Sequence, residues 1–209
     1  GTGMATGDTK LSICSDALIM LGSSPLSSFS EGSDAAQITD RLYDDIQDTV
    51  LMSYPWAFSL KKSQLARSVD APTAEYQYQY PLPDLIGSGP RALFTSSGTG
   101  TRPVTFGWEV YGGNILTNYA TVYIDYQFRP EPDVMPTYFI QLLKYWVAWH
   151  IAEPVTDQIS KAQYFQSLAV GSAAENMRGG MMRQAMQIDG GSKPVAGFQD
   201  FPLVTARAS

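Results

Sequence analysis

The chain has 209 residues, 44% of them apolar and 16% charged, a length that buries a full core without staples and a charge content that leaves neutral surface for packing against neighbours. One cysteine, Cys14, excludes an internal disulfide framework and a cysteine-built zinc site and fits synthesis in a reducing compartment, while no run of eighteen apolar residues is present to span a bilayer and no signal layout opens the chain. The formal charge of −6 is concentrated, residues 1–60 carrying eight acids against two bases and residues 61–209 twelve of each; the acids repel nucleic-acid phosphates, which disfavours sequence-specific DNA binding but suits a wall past which DNA slides without sticking.

From Thr9 the apolar positions Leu11, Cys14, Leu18 and Leu21 keep helical spacing, with Asp8 or Thr9 to cap the start and Gly22 to stop it. Cys14 lies on that inner stripe and reads as a small buried hydrophobe, since only Lys10 is near in sequence to activate a thiolate. After a Ser/Pro/Gly-rich loop over 23–33, a second helix opens at Ser33 or Asp34 with Ala35, Ile38, Leu42, Ile46, Thr49 and Val50 on one face. Asp40, Asp44, Asp45 and Asp48 take the other faces. Their spacing suits a solvated surface, or one turned to a partner, better than a metal cluster or an acid/base pair. The helix ends near Tyr54, because Pro55 disfavours helical backbone in the residue before it. Trp56, Phe58 and Leu60 then form an apolar anchor, and Lys61, Lys62 and Arg67 a soluble helix end or loop.

Between about 72 and 130 the period changes to two. Tyr76, Tyr78 and Tyr80 alternate with Gln77 and Gln79, which predicts a strand with one aromatic and one polar face. Pro81 and Pro83 donate no ladder hydrogen bond and end that strand at a sheet edge. The tyrosine face suits packing inside the β unit or against an adjacent subunit. Val104, Phe106, Trp108 and Val110 alternate up to Tyr111, Gly112 and Gly113 supply the positive φ angles of a tight hairpin, and Ile115 and Leu116 begin the return. Val122, Ile124, Tyr126 and Phe128 make a further strand, so four to six antiparallel strands are expected between two helical halves.

Residues 137–152 are apolar on nearly every side, the pattern of a helix buried among others, and Pro154 closes it. A fourth helix starts at Thr156 or Asp157, turns Ile159, Ala162, Phe165, Leu168 and Ala169 inward, and runs to about Gln187 through a weak point at Gly179 and Gly180, where each glycine costs roughly 1 kcal/mol relative to alanine. After Gly190 the chain is polar and proline-punctuated, yet it carries Val195, Phe198, Phe201, Leu203 and Val204, side chains expected to dock on something. The expected fold is α+β: an antiparallel bundle of about four helices (1–71 and 131–190), an inserted antiparallel β domain (72–130) and an extended C-terminal tail (191–209).

Few residues invite chemistry. His150, the only histidine, lies in the most apolar helix with Glu153 at helical spacing and reads as structural or capping. The segments GSGP, GTGT and YGGN lack the lysine-serine or helix signature of phosphate binding and read as turns. Glu109, Asp125 and Glu153 are available to a hydrolase, but nothing in their settings nominates two of them as a pair. No catalytic, cofactor-binding or metal-ligating residue is assigned.

Five segments carry a resemblance: DALIMLGSSPL, SYPWAFSLKKSQLA, YQYPLPDLI, WEVYGGNILTN and VYIDYQFRPEPDVMPTYFIQLLKYWVAWHIAEPVT. Each is common alone; in this order, over roughly residues 10–165, they resemble the tail tubular protein A family of short-tailed phages and, more broadly, the head-to-tail adaptors beneath the portal of tailed phages. Gly179 and Gly180 depart from the family pattern by interrupting its long last helix, and Pro83-Asp84 by being followed by Leu-Ile. The resemblance implies a non-enzymatic virion protein, made in the host bacterial cytoplasm, whose copies form a ring, usually of twelve, at the head-tail junction. Its implied partners are the portal protein, a tail or nozzle protein and other copies of itself, with DNA passing through without sequence-specific contact and no membrane. On that reading Val195, Phe198, Phe201, Leu203 and Val204 engage the portal, Asp40, Asp44, Asp45 and Asp48 face the channel, and Tyr76, Tyr78 and Tyr80 meet a neighbouring subunit, while the isolated chain is a monomer. The alternatives are a tail completion or stopper protein and a tail-carried cell-wall hydrolase.

Overall fold

The computed structural model describes residues 7–72, 75–98 and 100–192. Within them the chain is α+β, with five α-helices and two three-stranded antiparallel sheets. It divides into two compact units: the described residues up to Phe58 together with Pro130–Ser192, and Ser59–Arg129.

In the first unit, α1 (Lys10–Met20) begins at a capping box in which the Ser12 N–H donates to the Thr9 hydroxyl and the Thr9 N–H donates to the Ser12 hydroxyl, satisfying amides that the helix itself leaves without acceptors. Ile13, Cys14, Ala17 and Leu18 are buried, and Gly22, at φ 82°, turns the chain out. Ser33 caps α2 (Asp34–Met52). The buried face of α2 is Ala36, Thr39, Tyr43, Ile46, Val50 and Leu51, rotated from the expected one: Ala35, Ile38 and Leu42 are half-buried and Thr49 is exposed. Two residues with polar groups explain the rotation. Thr39 donates its hydroxyl to the Ala35 carbonyl at 2.8 Å and Tyr43 donates to Gln47 Oε1 at 2.7 Å, so both enter the core satisfied, and a count of apolar letters alone misses them.

Helix α3 (Thr137–Thr156) is the centre of this unit, packing against α1, α2, α4 (Ile159–Val170) and α5 (Gly180–Ser192). Phe139, Ile140, Leu142, Leu143, Trp146, Val147, Ala148, Ile151 and Ala152 are buried along it. Pro154 does not close α3, which runs on to Asp157, a left-handed cap at φ 57° whose N–H donates to the Glu153 carbonyl at 2.8 Å. A proline here forgoes only the bond to the His150 carbonyl, and the last turn survives that loss.

The expected fourth helix is two helices. α4 ends at Val170, and Ile159, expected inside, is 56% exposed. Gly171 takes φ 81°, Asn176 and Met177 are both left-handed, and the Gly179 N–H donates to the Val170 carbonyl at 2.9 Å. Gly179 and Gly180 are therefore the tight entry to α5, not a weak point within one long helix. A Cβ on Gly180 would lie 2.5 Å from the Leu168 carbonyl oxygen, so only glycine lets the two backbones approach this closely.

The second unit holds β1 (Leu60–Gln64), β2 (Tyr78–Pro81), β3 (Ala92–Phe94), β4 (Trp108–Tyr111), β5 (Asn114–Thr117) and β6 (Tyr123–Gln127). They form sheets of order β1-β6-β3 and β2-β5-β4, closing on a core of Leu65, Tyr80, Leu93, Ile115, Val122, Ile124 and Tyr126. The hairpin forms where expected, Tyr111 opposite Asn114 with Gly112 at φ 60° and Gly113 at φ 78°. The strand expected from Val104 is shorter and begins at Trp108. Lys61 and Lys62 lie in β1, opposite Tyr126 and Asp125, rather than in a loop. Their ammonium groups sit over the rings of Phe128 and Phe94 at 5.6 and 5.3 Å, which favours a strand that no apolar alternation announces.

Candidate functional site

The three tyrosines divide. Tyr80 is 1% exposed and donates its hydroxyl to the Tyr119 carbonyl at 2.7 Å, so its ring is spent on the β core and is not offered to a neighbouring subunit. Tyr78 is half-buried against that core, with the Arg67 guanidinium 4.4 Å from its ring centroid. Tyr76 lies outside the strand and is half-buried. Alternation placed Tyr78 and Tyr80 on the face that packs into the unit's own interior but began the strand too early, at Tyr76. Pro81 closes β2 opposite Asn114 at an edge of its sheet, a place where a missing N–H costs no ladder bond.

The four aspartates expected to form the acidic surface of α2, Asp40, Asp44, Asp45 and Asp48, are also divided. Lys10 of α1 donates to Asp40 at 2.8 Å and stands 3.8 Å from Asp44. Burial works against the Lys10 charge, but the bond to Asp40 and the field of Asp44 outweigh it and raise the ammonium pKa. Asp45 is exposed and Asp48 half-buried. Asp45 shares a hollow of about 290 Å³ with Leu42, Ile46, Thr49, Trp146 and His150. His150 is exposed, its Nδ1 lies 2.9 Å from the Trp146 carbonyl, and its ring is parallel to the Trp146 indole. The Trp146 indole N–H is buried and has no hydrogen-bond partner. A second hollow of about 430 Å³ lies at the end of α4, between Gln163, Gln166, Ser167, Ser172 and Asn176, with no ionisable side chain in its lining.

Exposed apolar side chains mark the outer surfaces. In the β unit, Phe106, Val110 and Tyr111 are 79%, 38% and 72% exposed on or beside β4, the other edge of its sheet. In the helical unit, Tyr164 stands out from α4 with Ile159, and Met177 from the turn that follows.

Cys14 is fully buried, and burial pushes its thiol up to about 12, far from the range of a reactive thiolate. Asp125 is paired with Arg91 at 3.1 Å, Glu153 lies on an exposed position of α3 and Glu109 on an exposed position of β4. Among the described residues no group of three or more metal-ligating side chains converges, and no helix is long and apolar enough to cross a membrane. Val195, Phe198, Phe201, Leu203 and Val204 lie outside the described residues.

Sequence reasoning missed Asp189. Its carboxylate is fully buried near the end of α5, accepting the Ala57 N–H at 3.0 and 3.1 Å on its two oxygens and the Tyr138 hydroxyl at 2.7 Å. An aspartate three residues before the end of a glycine-rich helix carries no local signal of burial, and its partner is 132 residues away. Lys144, missed likewise, reaches from α3 to Asp16 at 2.8 Å and Asp8 at 3.6 Å. Set against known proteins, the chain matches no family model, and no curated protein matches it significantly.

Proposed function

We propose that this chain is a structural head-to-tail adaptor of a tailed phage, a helical bundle with an inserted β domain whose copies assemble into a ring beneath the portal. The observation that carries the reading is topological. Helices α1 and α2, before the strands, pack on α3, after them, so the chain closes one helical unit across a separate β unit, as the five ordered motifs imply for the adaptor family. Apolar side chains left on the surface of both units, Phe106 and Tyr111 in one and Ile159 and Tyr164 in the other, suit a protein completed by neighbours. The channel role falls to the acidic face of α2, where Asp45 is exposed and Lys10 takes up part of the charge of Asp40 and Asp44; negative charge there lets DNA pass without adhesion.

The test is to mix the full chain with portal rings of the phage that encodes it and to image the product by electron microscopy. A ring of copies bound directly to the portal, lost when the chain is ended at Ser192 although its circular dichroism is retained, is the expected result. Undiminished binding by the shortened chain removes the portal-engaging role of residues 193–209. Attachment only below another tail component marks a stopper instead.

A further inference from the structure

Helix α5 is held differently from the other four. It packs against α3 and α4, and its inward stripe consists of Met182, Ala185 and Asp189, so two apolar side chains and one carboxylate do the work that nine buried apolar side chains do on α3. Its sequence, GMMRQAMQIDGGS, contains three glycines, and thirteen residues of that composition form no stable helix in isolation. Its first turn is pinned by the Gly179–Gly180 approach to α4 and by Arg183, which pairs with Glu175 at 2.9 Å. Its far end is pinned by Asp189, whose acceptors are filled by Ala57, just beyond α2, and Tyr138, in the first turn of α3. A buried carboxylate without its donors is strongly unfavourable, so this end is either fully seated or out in water. That is the behaviour of a two-position latch.

We propose that α5 is a separately releasable helix latched by Asp189, which opens as one unit and frees the Ala57 amide as it does so. The distinguishing mark is Ala57: although it follows α2 in sequence, its hydrogen bond is carried by α5, so its protection must follow α5.

Amide hydrogen exchange by NMR on the full chain tests this. In the unsubstituted protein, Ala57 and the α5 amides are expected to share one opening rate, at least tenfold faster than the amides of Leu143 and Val147 in α3. Asp189→Asn keeps the shape but turns an N–H group toward the Ala57 donor, and should accelerate exchange throughout α5 and at Ala57 by at least tenfold while leaving α3 unchanged. Tyr138→Phe, which keeps the carboxylate, should do the same to a smaller extent. Equal acceleration in all five helices, or an Asp189→Asn chain that does not fold, would mean that α5 belongs to the common core and would overturn the proposal. Acceleration at Ala57 alone, with α5 unaffected in both variants, would reduce Asp189 to a local cap and overturn it equally.

Discussion

Removing one oxygen from Tyr80 tests how this tyrosine is used. Tyr80→Phe keeps the ring in the β core but leaves the Tyr119 carbonyl without its donor, and should cost about 1 kcal/mol in urea unfolding; Tyr80→Ala, which empties the site, should cost about 3–5 kcal/mol. If Tyr80→Ala instead leaves stability intact, the ring is not part of the core. Cys14 makes a second residue-level prediction: with its thiol pushed up to about 12 by burial, iodoacetamide at pH 8 should leave the folded chain unmodified and alkylate it only in denaturant, as read by mass spectrometry. The interior placement of Cys14 and of Trp56, which is fully buried, was legible because each is an apolar letter at an expected position. Asp189 was not legible, because nothing local distinguishes a buried carboxylate from a solvated one; only the fold brings it to Ala57 and Tyr138.

Glycines set the element scale, and two of them in α5 should respond with opposite signs. Gly180→Ala forces a side chain into φ 55° and against the Leu168 carbonyl, an expected loss of about 1–3 kcal/mol. Gly190→Ala meets nothing within 4 Å in a helical stretch, an expected gain of up to about 1 kcal/mol. Thermal unfolding of the two variants measures both, and a stable Gly180→Ala chain would mean the α4–α5 turn is looser than described. At this scale the sequence was readable where local chemistry decides: the Gly112-Gly113 hairpin, the Ser33 cap and the stop at Gly22 all form as expected. It was unreadable where distant partners decide. Strand β1 is LKKSQ, without alternation, and becomes a strand through pairing with β6, 59 positions further along at the Gln64–Tyr123 end and 67 at the Leu60–Gln127 end. The face of α2 was misread by a fraction of a turn because satisfied hydroxyls of Thr39 and Tyr43 stand in for hydrocarbon.

On the scale of the molecule, the two units differ in how they use the chain. Among the described residues the β unit is one continuous stretch, Ser59–Arg129, with its own core of seven buried side chains. Produced alone, residues 59–129 should therefore fold, giving a dispersed amide NMR spectrum; a collapsed spectrum would show that its core needs the helices. The alternation of Tyr78, Tyr80, Ile124 and Tyr126 made this core visible in advance, whereas the extra strand at its start and the division into two sheets depend on pairings that no single stretch encodes. The helical unit is discontinuous, because α1 and α2 bury their faces on α3. This has a consequence at the ribosome. The first two helices emerge with their apolar stripes uncovered and wait while about eighty more residues are polymerised, on the order of 4–16 seconds at ordinary elongation rates. The strands finish first, and the oldest part of the nascent chain is the last to find its seat, which makes it the natural client of a chaperone during synthesis.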